Sequence, residues 1–203
     1  SVPMGQLDEK RKKLLLTALE DYEKTLLFTA ERPESQLSLA LFYLARGKKG
    51  KAEEAYIEAL RLQEKFVPVY VNYSNFLLSE GKKEEAYEML QKGLKNVPNV
   101  GILYHALGLW YIRNKEKSKA LKALKKAYTL EPDNTRFSYV YAVALSETNT
   151  KEAVEVLEAI YPKHTGNVQV VSGLVYYYQQ IGESEKSAEF KKKLKALQHF
   201  EVR

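Results

Sequence analysis

Apolar residues recur every three or four positions along most of the chain, the spacing of a helix with one buried face. Over residues 7–31 the stripe reads Leu14, Leu15, Ala18, Leu19, Tyr22 and Leu26, which predicts one amphipathic helix. Beyond it, apolar stretches alternate with short polar breaks at Gly47, Gly81, Thr148-Asn149-Thr150 and Gly182, and Pro98 and Pro132 close others. Glycine suits a turn because it enters left-handed backbone freely, and proline stops a helix because its ring cannot continue the hydrogen-bond ladder. Residues 1–6 read as a lead-in or cloning remnant outside the fold.

The breaks keep a period. Ala18, Ala52, Ala86 and Ala120 lie 34 residues apart, each followed four positions later by Tyr22, Tyr56, Leu90 and Leu124. Three positions further come Thr25, Ala59, Gly93 and Ala127. Gly47 and Gly81 hold the same interval, as do Pro98 and Pro132. A small residue lets two helices approach, and the large one fills the groove beside it. The fullest copy is Leu103-Tyr104-His105-Ala106-Leu107-Gly108-Leu109-Trp110-Tyr111, followed by Ala120, Leu124, Ala127 and Pro132.

With a 34-residue helix–turn–helix period and Tyr104, Leu107, Gly108 and Tyr111 at first-helix positions, the chain resembles the tetratricopeptide-repeat (TPR) family. That resemblance implies an all-α fold, a right-handed TPR superhelix or α-solenoid of antiparallel helix pairs. Repeats are expected at residues 33–66, 67–100 and 101–134, with a fourth at 135–167. The fourth is one residue short, since Ala153 follows Ala120 by 33, and a tighter turn at residues 148–150 is expected to absorb the loss. A degenerate fifth repeat, 168–203, keeps Leu174, Tyr178 and Gly182 and ends in a lysine-rich capping helix. Residues 7–32 fit the second half of a repeat whose first half is missing, either a natural cap or the scar of a cut.

In the resembled family the first helices line a concave groove that holds partner segments. Carried over by position, this implies a partner-binding groove including Asn72, Asn75, His105, Leu109, Arg113, Arg136, Tyr139 and Tyr176, with Ile112, Val143 and Glu147 beside them. Asparagine and arginine can bond a peptide backbone or carboxylate there. The ordinary alternative for the polar members is a solvated helix face. The lysine–asparagine clamp of chaperone-binding TPR domains is absent, because Leu37 and Leu41 occupy the matching positions. Fifteen tyrosines invite a reading as base-stacking platforms. TPR helices, however, bury tyrosine between helices, and Tyr43, Tyr56, Tyr104, Tyr111, Tyr141 and Tyr178 fall at such positions, leaving Tyr139 and Tyr176 outside.

Composition narrows the chemistry. Cysteine is absent from all 203 residues, which removes disulfides, thiolate metal sites and cysteine nucleophiles from this chain. The three histidines, His105, His164 and His199, fall in different repeats, so no triad or metal site is expected, and the chain reads as non-enzymatic. A net charge of +6 permits an acidic partner, although lysines along solvated helix faces are the common case. No apolar run is long enough for membrane insertion.

A narrower likeness lies in Glu31-Arg32-Pro33-Glu34, Phe66-Val67-Pro68-Val69-Tyr70-Val71-Asn72, His105 to Leu109 with Ile112-Arg113, and Asn134 to Leu145. In that order these phrases are similar to the C-terminal TPR segment of some bacterial multihaem c-type cytochromes. That likeness implies haem in a missing N-terminal part, none in this chain, and a periplasmic location; without it the location is open, with the cytoplasm as default. Three functions follow: a protein–protein interaction scaffold with a protein or peptide in its groove, a structural or dimerisation arm of an electron-transfer protein, or an RNA-binding helical repeat. The last is disfavoured because such repeats run to 35 or 36 residues, so no nucleic-acid partner is expected. The open half-repeat also offers an apolar edge (Leu15, Leu19, Tyr22) for self-association, unless residues 7–12 cover it.

Overall fold

The structure, a computed structural model, describes residues 8–201 and side chains through residue 198. The lead-in, Leu7 of the covering segment and the His199 side chain lie outside the described residues. Among the described residues there are eleven α-helices and one short 3-10 turn.

The chain divides into two compact units, residues 1–97 and 98–203. The first holds α1 (Glu9–Phe28), α2 (Pro33–Ala45), α3 (Lys49–Leu62), α4 (Val67–Ser79) and α5 (Lys83–Asn96). The second holds α6 (Gly101–Arg113), α7 (Lys117–Leu130), α8 (Thr135–Ser146), α9 (Thr150–Ile160), α10 (Val168–Gln180) and α11 (Ser184–Glu201). Within each unit, consecutive helices joined by three-residue turns pair most closely: α2 with α3, α4 with α5, α6 with α7, α8 with α9 and α10 with α11. Turns that short force the partners antiparallel.

Local sequence explains where these helices start. Asp8, Asn134, Asn149 and Asn167 each accept a backbone N–H three residues on, at 2.8, 3.3, 3.1 and 3.0 Å. Each cap satisfies a donor that the first turn leaves free. Pro33 and Pro68 stand in the first turns of α2 and α4, where a missing N–H costs nothing.

The ends of α2, α4, α6 and α10 share one device. Lys48 N–H donates to Tyr43 C=O at 2.8 Å and Gly47 N–H to Leu44 C=O at 2.9 Å. The same pair of bonds recurs from Lys82 and Gly81, from Glu116 and Lys115, and from Glu183 and Gly182. This is the Schellman arrangement, which needs a left-handed residue just beyond the helix.

The α8–α9 junction departs from it. Residues 147–149 still separate the two helices, and α8 has 12 residues where α2, α4 and α6 have 13. Asn149 N–H bonds Leu145 C=O, four residues back instead of five. Closing the chain without a left-handed residue thus shortens the hydrogen-bonded turn by one position.

The repeating alanines form the core. Ala52, Ala86, Ala120 and Ala153 are all buried, as are Tyr56, Leu90, Leu124 and Leu157 four positions on. Gly108 shows why a small residue is needed on the facing helix: a methyl added there would lie 2.6 Å from Leu124 Cγ and Cδ2. In the preceding repeat the matching Ser74 donates its hydroxyl to Ala86 C=O at 2.9 Å.

Helix α1 is the exception. Ala18, in register with those buried alanines, is exposed, and so are Leu14, Leu15, Tyr22 and Phe28, the last at 91%. The helix packs on α2, where the Tyr22 ring meets Phe42 at 5.6 Å.

Candidate functional site

The second unit contains an apolar cavity of about 500 Å³ opening between α6 and α8. Leu109 and Ile112 come from α6, and Tyr139, Val140, Val143 and Ala144 from α8. Helical geometry places these residues together: 109 and 112, like 139/140 and 143/144, stand three or four positions apart on one face. The start of α7 closes one end, where Lys117 Nζ donates to Glu147 Oε2 at 2.6 Å. Lys115 stands at the same rim.

Tyr139 lies beside α10. Gly173 of that helix makes room for Leu157 of α9, since an added methyl would stand 2.7 Å from Leu157 Cδ1, while the Tyr139 ring would be in ordinary contact at 3.4 Å. Tyr177, buried on α10, has its phenol pushed up by burial, partly offset by a hydrogen bond with Ser146, with Tyr139 and Tyr176 close enough to add to the rise. Tyr176 packs edge-on against Tyr177 at 5.4 Å and is 56% exposed. Tyr176 and Tyr177 thus form an aromatic pair on α10, the helix that packs beside α8 and its Tyr139.

The other expected groove residues fall differently. Leu109 and Tyr139 line the cavity, while Arg113 and Arg136 are exposed on α6 and α8. Asn72 and Asn75 belong to the first unit; Asn72 is turned onto its own helix, donating to Pro68 C=O at 2.8 Å. His105 is no surface contact. It is 2% exposed and stacks on Phe137 at 4.7 Å, with neither ring nitrogen hydrogen-bonded. Its residue spacing suits the groove, but Phe137 at the start of α8 covers the ring. Burial, and secondarily the Arg136 charge, pull its pKa down to about 4, so the imidazole is neutral at pH 7.

The tyrosines at interhelix positions behave as packing residues. Tyr43, Tyr56, Tyr111, Tyr141 and Tyr178 are buried and Tyr104 is half-buried. Tyr73 and Tyr178 each hand a hydroxyl hydrogen to a glutamate on the second helix of the preceding repeat, Glu53 of α3 and Glu158 of α9. Among the described residues there is no group of three metal-ligating side chains, and no helix is long and apolar enough to cross a membrane.

Sequence reasoning missed Lys115 and Tyr177. Lys115 could have been found by counting: it lies 34 residues after Gly81 and 68 after Gly47.

Comparison with known proteins agrees with this architecture. The tetratricopeptide-repeat family matches residues 33–66, 67–99 and 102–134. A human protein, the NatA auxiliary subunit N-alpha-acetyltransferase 16, is 41% identical over 54 residues, 27% of this chain and 6% of its own length. Superkiller protein 3 of Schizosaccharomyces pombe is 28% identical over 96 residues, 46% of this chain and 7% of its own. The chain therefore spans under a tenth of the length of these curated relatives. Among solved structures, PilF of Pseudomonas aeruginosa superposes with a TM-score of 0.68 at 20% identity, covering 93% of this chain and 91% of that one. YrrB, described as a TPR protein with an unusual peptide-binding site, gives 0.61 at 21% identity, covering 89% and 93%. At such identities the structures speak for the fold alone. Three matched repeats, paired helices and buried alanines in register make this chain a tetratricopeptide-repeat protein.

Proposed function

We propose that this chain is a protein–protein interaction scaffold that holds a partner segment in the trough between α6 and α8. The observation that carries this reading is the cavity itself: an apolar hollow bordered by the exposed Ile112 and Val143. Soluble proteins seldom leave concave apolar surface open without a binding role. Its floor is rigid, because Leu124 and Ala120 lock α7 beneath α6, so a partner meets a preformed site.

Selection of short peptides from a random library on the intact chain, repeated on Val143→Asp, tests this. Peptides that bind the parent and not the variant are expected. If every recovered peptide binds both equally, the trough is not the site. Val143 is 41% exposed, so the variant should fold.

A second reading concerns α1, whose exposed Leu14, Leu16 and Phe28 favour self-association through that helix. Light scattering across a concentration series, with Leu14→Glu/Phe28→Glu as control, distinguishes a monomer from an α1-dependent dimer.

A further inference from the structure

The turn between α6 and α7 differs from its counterparts at one backbone position. Gly47, Gly81 and Gly182 hold φ of 70°, 79° and 82°, while Lys115, at the same place in its motif, holds 61°. An L side chain is disfavoured in that region and glycine is not. Both turn hydrogen bonds are made by backbone, so nothing in the turn asks for a lysine. Strain retained where an easier residue would serve points to a use for the side chain.

That side chain stands on the cavity rim with Leu109 and Ile112. Its neighbour Lys117 is neutralised by Glu147, whereas Lys115 forms no ion pair with any described residue. Arg113, two residues earlier and exposed, likewise has no bonded partner among the described residues. The rim therefore carries uncompensated positive charge beside an apolar hollow. At about 500 Å³ the hollow exceeds what one side chain fills and lies within the range of about 300–1,000 Å³ for ligand pockets.

We propose that the trough takes a protein segment in which bulky apolar side chains adjoin an Asp or Glu, and that Lys115 receives the carboxylate. The apolar groups fill the space between Ile112 and Val143 while the lysine stem lies along the cavity wall with its ammonium at the mouth. A charge-assisted hydrogen bond there selects the acidic neighbour. This rests on the reading of the trough as the partner site.

Peptides selected on the intact chain for Val143-dependent binding should be enriched in Asp or Glu beside their apolar anchors. The tightest of them, labelled and titrated by fluorescence anisotropy, should bind Lys115→Gly about tenfold more weakly and Lys115→Arg about as well as the parent. Lys115→Gly should also melt about 2–4 °C higher, because the strained position is relieved. Val143-dependent peptides without acidic enrichment, undiminished binding to Lys115→Gly, or a lower melting temperature for that variant would each overturn the role of Lys115 while leaving the trough intact. Failure to recover any Val143-dependent peptide would instead remove the trough reading beneath it.

Discussion

The turn at Gly81 and the turn at Lys115 close with the same two backbone hydrogen bonds, yet they serve different surroundings. Around Gly81, α4 and α5 are packed by Tyr73, Phe76 and Leu90, and the polar Asn72 on the outer face of α4 is bonded to its own helix. Around Lys115, α6 and α8 leave an apolar hollow, a strained cation at its rim and, further along α6, a buried histidine without a hydrogen bond. The second helices hold the register in both regions, since Ala86 and Ala120 with Leu90 and Leu124 are equally buried. The contrast teaches that packing constrains the second helices, and the outward faces of the first helices are free to vary.

The largest test of that contrast is at its shared part. Leu124→Ala should cost about 2–5 kcal/mol, and Leu90→Ala a similar amount, because each opens a void under a closely approaching helix. Chemical denaturation followed by circular dichroism measures both. A loss below 1 kcal/mol at either leucine (roughly the cost of an exposed substitution) would show that the two regions do not share a common core.

Acid separates them next. His105 has an ordinary pKa of 6.5 when unfolded and about 4 in the fold. Between those values the unfolded chain binds a proton that the folded chain does not, so stability is full above pH 6.5 and is lost as the pH falls through 4. The loss reaches up to about 3 kcal/mol. Melting curves from pH 7 to 4 should show the second unit weakening, and His105→Leu should remove that part of the slope. An unchanged slope in His105→Leu would mean another group carries it.

The smallest effect concerns the turns. Gly81→Ala should destabilise by about 1 kcal/mol, since alanine resists the left-handed conformation. The opposite change at the matching position, Lys115→Gly, stabilises. Equal signs at the two positions in thermal melts would erase the distinction between them.

Much of this was legible from the residues. The 34-residue spacing of the alanines already implied helix pairs, and Gly47 and Gly81 marked their turns. Leu109 and Tyr139 were expected at a partner surface and line the cavity. His105 was expected there too, but helical spacing only assigns a face, and Phe137 from the next first helix covers it. Three of the four phrases likened to multihaem cytochromes coincide with helix openings, with Pro33 and Pro68 in first turns and Asn134 as a cap, and the fourth lies within α6. A stack of helix pairs calls for such residues by itself.

By itself, then, the sequence determined the helix pairs, their turns and the small residues that let them close, because these depend on local backbone preference and on a period that can be counted. Only the tertiary structure decided which first-helix faces were covered and which left a hollow, because that depends on side chains a whole repeat apart. The period already put Lys115 at a glycine's place in the turn; the tertiary structure added that it stands at the rim of the hollow, beside side chains of another repeat.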